Sequence, residues 1–196
     1  MAAFAEPRVK EVIENHLRRS SEAKLALLAQ TDLIQKAIDA LVQCTKSGGT
    51  IYSCGNGGSS CDAMHLTEEL VARYLRERPG IRAQHFCDPS TMSCWSNDYN
   101  FDSVFERQVQ TFVGEKDVFI VFSTSGNSAN IVKALSAAKE RKATTIALLG
   151  KGGGKAKTLA DIALVVESDK TAHIQEAHIT LVHILCDRLE VLLFGE

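Results

Sequence analysis

The sequence predicts an α/β fold: a doubly wound, parallel, five-stranded sheet with long helices at both ends of the chain. Three observations carry this. Short apolar runs at residues 50–54, 83–87, 118–122, 144–149 and 162–166 have strand length. Between them, apolar residues recur at helical spacing, and strands alternating with helices mean a parallel sheet covered on both faces. Two Gly/Ser-rich loops then fall at the carboxyl ends of strands, where ligands bind in such sheets.

Taken in order, residues 7–46 read as helix, from Val9, Val12, Ile13 and Leu17 through Leu33, Ile34, Ala37, Ile38, Leu41 and Val42. Thr31-Asp32 is an N-cap signal, so two helices with a break there are expected. Ser47-Gly48-Gly49 ends the second. The first strand leads to the turn Gly55-Asn56-Gly57-Gly58, and a helix is expected over about 59–76. The weaker strand at 83–87 precedes an irregular stretch, 89–100. Residues 102–113 read as helix, 118–122 as a buried strand, 128–141 as helix and 144–149 as strand. Residues 150–154 are a glycine loop, with 152–154 taken as surface, followed by a short helix and the last strand. The pattern is helical again over 173–194. This makes one domain, 1–196: a helical segment of about 1–47, a core of about 48–172 and a C-terminal helix of about 173–196. The terminal helices carry more apolar face than one small sheet needs, which implies an oligomer with helices packed between subunits.

Composition narrows the function. Hydrophobic residues are 45% and charged residues 23%, as in soluble globular proteins. The formal net charge of -2 offers no basic surplus for nucleic acid. No apolar run reaches about 18 residues, so no membrane helix is expected. The N-terminal stretch lacks the apolar segment of a signal peptide. Cys44, Cys54, Cys61, Cys87, Cys94 and Cys186 form no Cys-x-x-Cys pair and read as reduced thiols of a cytoplasmic protein.

The segment Ser123-Thr124-Ser125-Gly126-Asn127-Ser128 joins a strand to a helix. Four hydroxyls beside free helix N–H groups and a positive dipole end make an anion site. A helix cap would need one hydroxyl, not four. Hydroxyls without lysine suit a phosphomonoester better than a nucleoside triphosphate, and the P-loop pattern is absent. The loop Cys54-Gly55-Asn56-Gly57-Gly58 lacks the dinucleotide fingerprint. It is either a tight turn or a place for close ligand approach.

His65 and Glu69 are four apart on one helix face, with Glu68 beside them and Arg73 four further on. They are a solvated stripe or a pair that reaches one metal or substrate. The final helix carries His173, Gln175, Glu176, His178 and His183. Gln175 and His183 are separated by about 12 Å of helix rise. They converge only by leaning inward or by coming from different subunits. Asn97-Asp98, next to Trp95, reads as turn chemistry.

Together these residues resemble the phosphoheptose isomerase family, also called sedoheptulose 7-phosphate isomerases, of the sugar isomerase (SIS) domain superfamily. The resemblance rests on Ser53-Cys54-Gly55-Asn56-Gly57-Gly58-Ser59, Cys61-Asp62-Ala63-Met64-His65, Glu68-Glu69-Leu70, Ser96-Asn97-Asp98, the serine loop through Ala129-Asn130, and Ile174-Gln175-Glu176-Ala177-His178. It implies a three-layer αβα, flavodoxin-like core and a homotetramer with active sites at subunit interfaces. It implies one zinc ion per subunit on His65, Glu69, Gln175 and His183. It further implies substrate contacts from Asn56, Gly57, Gly58, Glu69, Asn97, Asp98, Ser123, Thr124, Ser125, Ser128 and Gln175.

The implied reaction interconverts D-sedoheptulose 7-phosphate and D-glycero-D-manno-heptose 7-phosphate, toward the activated heptose of bacterial surface glycans, chiefly lipopolysaccharide core. Moving a carbonyl from C2 to C1 through an enediol needs a base and an acid, and the resemblance makes these Glu69 and His183. Zinc would polarise the carbonyl, but it would also weaken a carboxylate base bound to it. Two alternatives remain at this level. One is a non-catalytic sugar-phosphate-binding regulator of the same superfamily, of the type that associates with the replication initiator; that type lacks the Glu and the final His, both present here. The other is an isomerase of a different phosphorylated sugar. One departure is visible: some relatives carry Asp-Arg where this chain has Ala172-His173, so the carboxylate is lost.

Overall fold

Gln30 divides the N-terminal helical region. Its side-chain amide donates to the Val165 carbonyl (2.7 Å) and its oxygen accepts from the Val165 N–H (2.9 Å). Helices α1 (Glu6–Leu25) and α2 (Thr31–Lys46) are therefore separated by a 3-10 turn, Ala26–Gln30, pinned to a strand. The expected cap at Thr31-Asp32 is not used; Thr31 is already helical, and the break is made by tertiary contact. The computed structural model describes residues 6–195. The first five residues and Glu196, which the single-domain expectation includes, lie outside the described residues.

The remaining elements follow as β1 (Ile51–Gly55), α3 (Gly58–Val71), β2 (Ala83–His85), α4 (Pro89–Asp98), α5 (Val104–Phe112), β3 (Val118–Ser123), α6 (Ala129–Glu140), β4 (Thr144–Gly150), α7 (Ala156–Leu159), β5 (Ile162–Val166) and α8 (Thr171–Phe194). The strands lie in the order β2-β1-β3-β4-β5, and every neighbouring pair is parallel. This is the five-stranded, doubly wound sheet the sequence predicts. Phe119, Ile120, Val121, Phe122 and the run Ile146, Ala147, Leu148, Leu149 are fully buried. Each large side chain among them contributes about 1.5–3 kcal/mol by leaving water. The order reverses between β1 and β3. Their ends are level, with Cys54 opposite Val121 and Gly55 opposite Phe122. A crevice opens at that point, beyond the carboxyl ends of both strands.

Three further expectations are corrected. Residues 89–98, expected to be irregular, form a helix. Asp88 accepts the Thr91 N–H (2.8 Å) as N-cap, and Pro89 pre-sets the first turn. The helix buries no residue fully, so it leaves no apolar periodicity to read. The helix expected over 59–76 ends at Val71. Arg78 donates to the carbonyls of Glu69 and Leu70 (2.7 Å each) and Glu190 takes the N–H groups of Tyr74, Leu75 and Arg76. Arg73 therefore does not continue the His65 and Glu69 face. Ser128 is an N-cap by position, but its side chain makes no cap bond. Gly152 is exposed as expected, but Gly153 and Gly154 are not a free surface loop. They pack on the serine loop: a Cβ at Gly126 would overlap the Gly153 carbonyl, the Ala156 N–H donates to the Gly126 carbonyl (2.9 Å) and the Lys155 N–H to Asn127 Oδ1 (3.1 Å).

The six cysteines are unpaired, with Cys61 and Cys94 exposed. Burial pushes the Cys44 and Cys87 thiols up to about 11 and Cys186 to about 12. These three are protonated packing groups rather than nucleophiles.

Candidate active site

The serine loop leaves β3 at Ser123 and enters α6 at Ala129. Ser123 Oγ accepts the Gly126 N–H (3.0 Å) and Ser125 Oγ accepts the Asn127 N–H (3.2 Å). Both hydroxyl oxygens are engaged in shaping the loop, while their protons remain to be donated. Gly126 has φ +62, and a Cβ there would overlap the Gly153 carbonyl. Only glycine permits this close approach of two loops. The serine-loop residues and the start of α6 border one cavity, which is the setting an anion needs.

A cavity of about 230 Å3 lies over this loop. Ser123, Thr124, Ser125 and Ser128 line one side, and Asn56, Gly58 and Gln175 line the other. The structure thus joins the two loops that the sequence treats separately. Asn56 and the buried Asn130 tie them: each carboxamide donates to the other at 2.9 Å. A Cβ at Gly58 would overlap the Gln175 carboxamide, so glycine lets α8 close on the loop. Gly57 precedes the first turn of α3. Thr171, the first residue of α8, adds a hydroxyl to the cavity that sequence reading did not assign.

Helix α3 runs beside α8 along the same seam. Where Gly58 meets Gln175 at one end, His65 and Glu69 meet His183 further along. His65 Nε2 lies 3.2 Å from His183 Nε2 and 3.4 Å from Glu69 Oε1. Ligand atoms of these three side chains all fall within 4.8 Å of one another. Eight residues of helix rise thus separate Gln175, at the cavity end, from His183, at the other; one chain brings each to a different part of α3. His65 Nδ1 faces Glu68 Oε1 at 3.0 Å, so Glu68 orients the ring while Nε2 turns to the cluster.

This donor set fits zinc. Two imidazoles and a carboxylate are the ligands a borderline metal prefers. Bonds of about 2.0–2.1 Å in a tetrahedral centre put ligand atoms about 3.3 Å apart. The 3.2 and 3.4 Å separations here are of that size. The Glu68–His65 contact supplies the outer carboxylate that metal-binding histidines usually have.

Asp62 was missed as a functional candidate. It lies on α3, one turn before His65, and is 7% exposed. Its Oδ2 has no hydrogen-bond partner among the described residues, and burial raises its carboxyl to about 6. The signal was its spacing of four from Gly58 and three from His65. Asn97 and Asp98 sit at the exposed end of α4, where Asn97 donates to Asp98 (2.9 Å). They do not line the cavity of this chain.

The SIS domain model matches residues 17–150. The phosphoheptose isomerase of Helicobacter hepaticus is 42% identical over 183 residues, covering 93% of each chain. That of Escherichia fergusonii is 44% identical over 185 residues, covering 92% of this chain and 96% of its own. The solved phosphoheptose isomerase of Francisella tularensis superposes with a TM-score of 0.88 at 35% identity, over 92% of this chain and 97% of its own.

Proposed function

This chain belongs to the SIS domain family and, within it, to the phosphoheptose isomerases, and on that premise we propose how its site works. The reaction is the interconversion of D-sedoheptulose 7-phosphate and D-glycero-D-manno-heptose 7-phosphate. The observation that carries it is the seam itself: a hydroxyl-lined anion cavity at one end and a carboxylate with two imidazoles at the other. A phosphorylated ketose anchored by its phosphate would extend along the seam toward Glu69.

The serine loop holds the phosphate by donated hydroxyl and backbone hydrogens. Glu69 takes the proton beside the carbonyl, and His183 passes a proton to and from the enediol oxygens. Gln175, in the cavity wall, supplies a carboxamide for the sugar. Asn97 and Asp98, exposed on this chain, contact sugar only across a subunit boundary or after α4 moves. His65, Glu69 and His183 would hold one zinc per subunit, with Glu68 fixing the His65 ring; Gln175, about 12 Å of helix rise from His183, would complete the set only from a neighbouring subunit. When bound, that ion supplies polarisation of the carbonyl and stabilisation of developing negative charge.

The regulator alternative is disfavoured by Glu69 and His183 meeting in one cluster. On the proposed reading the product supplies activated heptose for surface glycans, chiefly lipopolysaccharide core. The enzyme then works in the cytoplasm as a homotetramer. Among the described residues no helix is long and apolar enough to cross a membrane.

The test is an NMR assay of aldose formation from sedoheptulose 7-phosphate, with fructose 6-phosphate as control. Glu69→Gln should abolish turnover while the ketose phosphate still binds; retained turnover would remove Glu69 as base. Elemental analysis of unchelated protein should find zinc, and His65→Ala should lose it. Equal turnover of fructose 6-phosphate would favour a different sugar.

A further inference from the structure

The segment 72–82, between α3 and β2, is held by one buried ion pair. Arg78 and Glu190 have side chains only 1% and 2% exposed, with Arg78 Nε 2.9 Å from Glu190 Oε1. The Glu190 carboxylate also accepts the N–H groups of Tyr74, Leu75 and Arg76 at 2.9, 3.0 and 3.1 Å. Arg78 spends its other N–H groups on the carbonyls of Leu70 and Glu69 (2.7 Å each) and Pro79 (3.2 Å). A cation on the last carbonyls of α3 is favourable toward the helix dipole.

A buried ion pair seldom adds much stability over a well-packed apolar replacement. What this one does is join three segments: the last turn of α3, the 72–82 segment and α8. Those segments carry Glu69, Tyr74 and His183. The Tyr74 ring lies nearly parallel to His183, with centroids 5.7 Å apart and planes 25° apart. The His65 ring meets His183 edge-on at 5.3 Å and 68°. His183 is therefore bounded on a flat face by Tyr74 and turned toward His65 and Glu69. The ring torsion of histidine is broad, and nothing on α8 alone would choose its plane.

We propose that Tyr74, delivered by the Arg78–Glu190 pair, is a positioning residue that sets the plane of the His183 ring. It keeps Nε2 directed at the His65 and Glu69 end of the seam. The same pair fixes the backbone of Glu69 through its carbonyl, so base and imidazole are registered by one clamp. This rests on reading Glu69 and His183 as the reacting groups.

Two variants and one spectrum test it. Tyr74→Leu keeps apolar cover without a flat face, and Tyr74→Phe keeps the ring. Misplacing a reacting group costs turnover rather than binding. Tyr74→Leu should therefore lower kcat by about 10- to 100-fold with KM held within about twofold, and Tyr74→Phe should restore it. In metal-free protein with labelled histidine, the His183 ring protons should be shifted upfield by the Tyr74 ring. That shift should persist in Tyr74→Phe and vanish in Tyr74→Leu. Unchanged kcat in Tyr74→Leu, or a raised KM at constant kcat, overturns the proposal. So does a parent spectrum without the upfield shift, whatever the variants do. If the parent turns over no heptulose phosphate, the functional reading fails, and the spectrum still decides whether Tyr74 orders His183.

Discussion

His178 shows what one residue can hide. The final helix presents it in a run with Gln175, Glu176 and His183, as if all were site groups. In the fold it is fully buried, with Nε2 3.2 Å from the Leu149 carbonyl and Nδ1 unpartnered among the described residues. Burial lowers its pKa to about 4. Its folded pKa is depressed, so the stability it contributes is full above about pH 6.5 and is lost as pH falls toward 4. The loss is on the order of 3 kcal/mol. Asp62, raised to about 6, has the opposite sign: its contribution is present below about pH 4 and lost as pH rises through 6. Urea titrations between pH 4 and 7 should show His178→Gln with less acid destabilisation than the parent; parallel curves would place the acid sensitivity elsewhere. At this scale the sequence exposed His65, Glu69 and the serines through their spacing. Spacing alone could not separate His178 from His183, because burial is not a property of helical spacing; the family resemblance named His183.

At the scale of elements, the serine loop is made by two loops, not one. Gly126 abuts Gly153, and Asn127 bonds Lys155, so Gly153 and Gly154 back the serine loop from outside the cavity. Gly126→Ala would add left-handed strain of about 1–2 kcal/mol and a backbone overlap. It should weaken phosphate-ester binding by about tenfold or more. Gly152→Ala, at φ +78 with open space around it, carries the strain without the overlap and serves as control. Equal losses in calorimetric binding would show that strain alone matters. The strands and long helices were legible because their apolar runs are local. Helix α4, the end of α3 and the break at residues 26–30 were not. They are set by Asp88, by Arg78 with Glu190, and by Gln30 on Val165, and two of these three rest on partners far along the chain.

For the whole molecule, α1 is the unfinished part. It packs on α8, where His16 faces Glu176 (3.1 Å) and His173 (3.2 Å) and Ser20 donates to Glu176. Its other face leaves Val9, Val12, Ile13 and Leu17 more than half exposed. That stripe matches the surplus apolar face read from the sequence, and on the proposed homotetramer reading it is the candidate subunit contact. Ile13→Glu with Leu17→Glu should dissociate the assembly in sedimentation, since each side chain forgoes about 1.5–3 kcal/mol of burial. An unchanged mass would move the interface elsewhere. By itself the sequence determined the fold class, the strand-to-loop punctuation and the residue types of a phosphate loop and a His/Glu pair. All of these are written in contiguous residues and short periods. Only the tertiary structure decided that the Gly58 and Ser123 loops face one cavity, that His183 of the same chain meets His65 and Glu69, and that Tyr74 lies on His183. Those depend on strand order, which joins loops 65 positions apart, and on the packing of α3 against α8, which brings together residues more than a hundred positions apart.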